Sequence, residues 1–252
     1  MRFFAVLILL GLWCVAVVGA DAPATDAGEL SALDFLYRVR HPAARESWSA
    51  MDGEVQHLRR GAEMITAPLY LGMLFSPERT LAQIIIDGKQ GYTVGQTYGA
   101  GNGETSVIPM SKQPYAEPLL PKFGLRPQDL TMTFLYWNLV REMPSESVKG
   151  SDCRVFELKS PDGKELVKVY ISREYFFPLK AEWFNSDSNA ESAPVRTLEV
   201  ASFKKQDDFW LVNKLTLYGP GWRTKVNFDK TSVGYPEKGI PSTLFRQLPE
   251  EK

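Results

Sequence analysis

Residues 81–98 read Leu-Ala-Gln-Ile-Ile-Ile-Asp-Gly-Lys-Gln-Gly-Tyr-Thr-Val-Gly-Gln-Thr-Tyr, and this stretch decides the fold class. Two runs rich in β-branched and aromatic residues flank Asp87-Gly88, a pair that favours a tight hairpin turn. A loop of two or four residues places Leu81, Gln83, Ile85, Tyr92, Val94, Gln96 and Tyr98 on one face. Ala82, Ile84, Ile86, Gly91, Thr93, Gly95 and Thr97 then share the other. Neither is a plain solvated surface. Apolar residues on both faces, with glycines where a sheet bends or is approached closely, predict a curved sheet with something packed in its hollow.

Outward from the hairpin the period stays near two. Strands are predicted over 47–59, 64–75, 79–86 and 91–98, then over 151–159, 165–173, 175–184, 195–205, 209–218 and 222–229. Trp222, Thr224, Val226 and Phe228 face one way in the last of these, with Arg223, Lys225, Asn227 and Asp229 opposite, so one side is dry and the other wet. In 175–184, Phe177, Leu179, Ala181 and Trp183 share a face. Helical spacing occurs twice. Asp26 and Glu29 resemble a capping box ahead of a stripe of Leu30, Leu33, Leu36 and Tyr37 that ends at His41-Pro42. Pro127 opens a second helix, on which Leu130, Phe134 and Trp137 recur. Residues 99–126, rich in Gly and Pro, read as a lid or crossing loop. The expected class is α+β and mostly antiparallel: an unclosed half-barrel of about ten to eleven strands, with two to three helices as a lid over the concave face.

The chain begins with Arg2, an apolar run over 3–18 and the small residues Val18-Gly19-Ala20. That pattern predicts a cleaved export signal over residues 1–20, leaving 21–252 as a single exported domain. A single-pass anchor is the competing possibility, but the run is short for a bilayer that needs about 20 apolar residues. Lys and Arg total 29 against 30 Asp and Glu, so nothing in the charge favours nucleic acid or an anionic membrane. Only Cys153 follows the signal, so the expected domain has no internal disulfide.

Catalytic chemistry is poorly supplied. His41 and His57 are the only histidines, and they lack a metal-ligand spacing. His41 reads as a helix end and His57 as pointing out of a strand. Cys153 reads as a small buried hydrophobe, and Asp207-Asp208 as a hairpin turn. There is no nucleophile elbow, phosphate loop or dinucleotide fingerprint. A non-enzyme without cofactor or metal is expected.

What remains is a surplus of large apolar groups, with 14 Phe, 10 Tyr and 6 Trp. Several strings then carry a family resemblance. Phe75-Ser76-Pro77, Ile86-Asp87-Gly88-Lys89 and Gly91-Tyr92-Thr93-Val94 resemble a strand, Asp-Gly-Lys turn and aromatic return strand of the outer-membrane lipoprotein-sorting proteins. Gln128-Asp129-Leu130, residues 148–158 and residues 177–184 are similar to further stretches of the sorting-protein-like branch. The resemblance implies a monomeric half-barrel carrier or binding protein for acylated lipoproteins or lipids, working with envelope transport proteins. The alternative is a non-catalytic envelope sensor or scaffold using the same fold. The family's lid-latching arginine is replaced here by Ser76. The cavity is expected to be lined by Tyr92, Val94, Tyr98, Phe177, Leu179, Trp183, Trp222, Val226 and Phe228, under a lid of Leu33, Leu36, Phe134 and Trp137.

Overall fold

A computed structural model of the chain describes residues 30–41, 46–98, 103–111, 115–185, 193–207 and 209–248. The predicted export signal, the Asp26/Glu29 capping box and Asp208 lie outside them. Helix α1 (Ala32–Arg40) opens the described chain. Strands β1 (Ser47–Arg59), β2 (Ile65–Phe75), β3 (Arg79–Ile86), β4 (Gln90–Thr97) and β5 (Thr105–Pro109) follow. Two short helices, α2 (Leu119–Lys122) and α3 (Pro127–Thr131), and a 3₁₀ turn at Thr133–Tyr136 make the crossing. The remaining strands are β6 (Asn138–Val148), β7 (Ser151–Lys159), β8 (Glu165–Ser172), β9 (Pro178–Asn185), β10 (Arg196–Gln206), β11 (Phe209–Gly219) and β12 (Trp222–Gly234).

All these strands form one antiparallel sheet in the order β5-β4-β3-β2-β1-β12-β11-β10-β9-β8-β7-β6. The pairing of β1 with β12 joins the two halves at the centre, and β5 and β6 are left as edges, so the barrel is unclosed. The sheet thus has twelve strands among the described residues, against the ten to eleven expected from sequence. The added strands are the two edges. β5 lies inside the stretch expected to be loop, and β6 begins directly after the segment expected to be helix. Both are largely exposed, so they lack the dry face whose alternation marks a strand.

The expected helix over 127–137 is broken. Met132 adopts φ 52 after α3, and the chain continues as the tighter 3₁₀ turn. On α1 the stripe is rotated from expectation. Ser31 caps the helix by accepting from the Asp34 N–H, and the buried residues are Phe35, Leu36, Val39 and Arg40. Leu33 and Tyr37 are 66% and 61% exposed, so Leu33 does not face the sheet. His41 closes the helix as expected, its N–H bonding the Tyr37 carbonyl.

The hairpin of β3 and β4 differs from expectation by one residue. Asp87 and Gly88 have φ 55 and 64, and the Lys89 N–H closes the turn on the Ile86 carbonyl. Ile86, however, pairs with Gln90, leaving a loop of Asp87, Gly88 and Lys89. An odd loop reverses the facing of the return strand. Tyr92 therefore stands opposite Ile84 and Val94 opposite Ala82 on one face, with Leu81, Gln83, Ile85, Gly91 and Gly95 on the other.

That second face is apolar because the C-terminal segment covers it. The Tyr70 hydroxyl donates to the Leu244 carbonyl at 2.7 Å, and the Gln83 amide exchanges two bonds with the Arg246 backbone at 2.8 and 2.7 Å. Arg246 forks onto the Asp52 carboxylate and lies 3.4 Å from the Tyr70 ring centroid. Gly72 permits the approach: a Cβ there would sit 2.4 Å from the Leu244 carbonyl oxygen.

Candidate functional site

The first face of the hairpin looks into an apolar hollow. Phe75, Thr80, Ala82, Val94, Gln96 and Tyr98 form one wall, and Val39 of α1 contributes from above. Residues 131–133 with Leu135 and Tyr136 make the cover, and Phe176, Phe177 and Pro178 close the far side. Because β4 is second in the sheet order and β9 ninth, their meeting around one hollow shows how far the sheet curls. Its volume of about 50 Å³ admits only a few waters, since each needs roughly 10–15 Å³.

The polar groups of the hollow cluster together. Thr80 and Tyr98 share a hydroxyl contact, and the Tyr98 ring stacks on Tyr136 at 6.1 Å. Gln96 stands opposite Thr80 on the neighbouring strand. Burial pushes both tyrosine hydroxyls above their usual range.

Of the residues expected to line a cavity, Val94, Tyr98 and Phe177 meet in this hollow. Phe228 lines a second, adjoining one. Tyr92 instead meets Tyr115 edge-on at 5.7 Å, and Trp183 packs edge-on against the cover's Phe134 at 5.1 Å. Leu179 and Val226 are buried in the core. Trp222 lies 5.9 Å from His57, away from either hollow. Leu36 of α1 and Phe134 of the cover are fully buried, Trp137 is half-buried and Leu33 faces solvent. Val39, Phe75, Ala82 and Met132 were not anticipated. The odd hairpin loop would have pointed to Ala82; Met132 carries no sequence signal, because its position depends on the broken helix.

Polar ties hold the cover down. Buried Arg40 donates to the Leu135 and Trp137 carbonyls at 2.7 Å each, and the Tyr136 hydroxyl donates back to the Arg40 carbonyl at 2.8 Å. Burial lowers the Arg40 guanidinium to about 10, still charged at neutral pH. Asp129 of α3, almost fully buried, pairs with Arg196 of β10 and accepts from the Arg126 N–H at 2.6 Å. A third tie corrects the expectation for His57, which is buried. Its Nδ1 lies 2.8 Å from the Thr224 hydroxyl, which donates at 2.6 Å to the Phe123 carbonyl beside α2. The Arg59 Nε donates to the other ring nitrogen. Cys153 is buried as expected, a free thiol that burial pushes up to about 11. Among the described residues, no three or more His, Cys, Asp or Glu gather as a metal site, and no helix is long and apolar enough to cross a membrane.

No family model and no curated protein matches the chain. Solved structures do match it. A DUF1329 family protein from Desulfovibrio piger superposes with a TM-score of 0.56 at 16% identity, covering 84% of this chain and 95% of that one. A domain from Vibrio parahaemolyticus described as an outer membrane lipoprotein-sorting protein gives 0.54 at 15% identity, over 82% and 91%. A LolA superfamily protein from Nitrosomonas europaea gives 0.50 at 12% identity, over 86% and 98%. The fold is that of the lipoprotein-sorting proteins. Within this sorting-protein fold, Ser76 serves the β2–β3 turn, its hydroxyl and N–H both bonding the Arg79 carbonyl at 2.9 Å. The cover is tied instead through Arg40, Asp129 and Arg196, from α1, α3 and β10.

Proposed function

We propose that the chain is an exported periplasmic carrier or binding protein for the acyl chains of lipoproteins or lipids, moving them towards the outer membrane without catalysis. One observation carries this: an apolar hollow between a curled sheet and a cover made of short, separately tied pieces. A cover of this kind can lift without unravelling the sheet. The shared fold and the apolar start of the chain support the same reading. Sheltering about fourteen methylenes at about 0.8 kcal/mol each offers on the order of 11 kcal/mol. Opening the hollow and ordering the acyl chain subtract from that, leaving the reversible binding a carrier needs.

Native mass spectrometry of protein purified from its own cells, with lipid extraction, tests the proposal. Acyl ligand bound one to one is the expected result. Protein that never carries acyl lipid, even after incubation with lipid vesicles, refutes it. A stoichiometric protein partner without lipid would favour the sensor or scaffold alternative.

A further inference from the structure

The space beneath the cover is divided in two. A second hollow of about 30 Å³ adjoins the first, lined by Met51, Leu71, Met73, Leu211, Leu215 and Phe228 among others. Phe75 and Met132 line both hollows. The two hollows therefore adjoin beneath the cover, the first over β4, β3 and β2 and the second over β2, β1, β12 and β11, with Phe75 and Met132 standing between them.

These two residues differ in freedom. Phe75 projects from the end of a paired strand, opposite Ser47 and Thr80. Met132 sits at the joint between α3 and the 3₁₀ turn, with its backbone at φ 52, and its unbranched thioether can change rotamer without rearranging the sheet. The polarity of the two hollows is also one-sided. Thr80, Gln96, Tyr98 and Tyr136 cluster in the first hollow, whereas Ser49 alone supplies a polar side chain to the second.

We infer that the occupant is a single long acyl chain, with its polar end beside Tyr98 and Tyr136 and its tail passing Met132 into the second hollow. Met132 is then the gate that makes affinity depend on chain length. The inference rests on the acyl-binding reading above and adds to it a direction, a length preference and the residue that sets it.

Displacement of bound cis-parinarate by octanoate, laurate and palmitate tests it. In the wild type, affinity should climb along the series by about fourfold for each methylene that gains shelter. Met132→Trp should lose most of the advantage of palmitate over octanoate, roughly two-hundredfold if four methylenes are excluded. Leu215→Trp, which fills the second hollow from a strand and leaves the joint untouched, should truncate the series in the same way. If either variant also loses octanoate, the other decides. A palmitate advantage that survives in both variants, or wild-type affinity that is flat beyond octanoate, overturns the gate and leaves acyl binding standing. Failure of every chain length to displace or bind overturns both.

Discussion

Replacing Arg196 with Met should destabilise the protein by about 3–5 kcal/mol, a large part of the roughly 5–15 kcal/mol that holds a domain folded. The magnitude follows from where Asp129 sits. Its carboxylate is 1% exposed, one oxygen is bonded to Arg196 and the Arg126 N–H, and the other has no hydrogen-bond partner. Removing the guanidinium leaves a buried charge held by one backbone N–H. Burial already pushes this carboxyl up against the pull of Arg196, and without that pull it rises further. The folded variant then binds a proton more readily than the unfolded chain, whose aspartates titrate near about 3.9. Its deficit should therefore be largest at neutral pH and shrink as the pH falls towards that value. The double variant Asp129→Leu with Arg196→Met should recover most of the loss, because two apolar side chains remove the desolvation cost together with the attraction, and should fall short of wild type by about 1 kcal/mol for the Arg126 N–H left without its acceptor. Urea unfolding of the wild type, both single variants and the double variant measures the cycle. A cost below about 1 kcal/mol for Arg196→Met, or a double variant as unstable as the worse single, would refute the assigned role.

Two further outcomes follow from the same structure. Burial and the nearby Arg59 lower the folded pKa of His57, so the unfolded chain binds the proton first. Its contribution to stability is present above about 6.5 and is lost as the pH falls below that value, and His57→Gln should flatten this part of the urea midpoint against pH. On α1, Leu36→Ala should cost about 2–5 kcal/mol in thermal or urea unfolding, whereas Leu33→Ala should stay within about 0.5 kcal/mol. Equal costs would mean that the described face of the helix is wrong.

Legibility in the sequence followed the contrast between dry and wet faces. β12 was readable because Thr224, Val226 and Phe228 are buried while Arg223, Lys225 and Asp229 are exposed. β5 and β6, at the sheet's edges, offer little such contrast and carry no strand signal. The helical spacing of Leu130, Phe134 and Trp137 could not show that Met132 would break the helix between them. The burial of His57 is not legible locally, because it depends on Thr224, distant in sequence, and on the Phe123 carbonyl.

The sequence by itself determined a large antiparallel sheet and a hairpin at Asp87-Gly88, both of which follow from local pattern and composition. Only the tertiary structure decided which face of that hairpin is inside. Lys89 joins the loop, and because side chains alternate with a period of two, that one residue turns Ala82 towards Val94 and the hollow. Leu81, Gln83 and Ile85 are left on the opposite face, covered by a segment more than a hundred and fifty residues along the chain. Both faces are apolar because both are covered, and no local pattern carries that information.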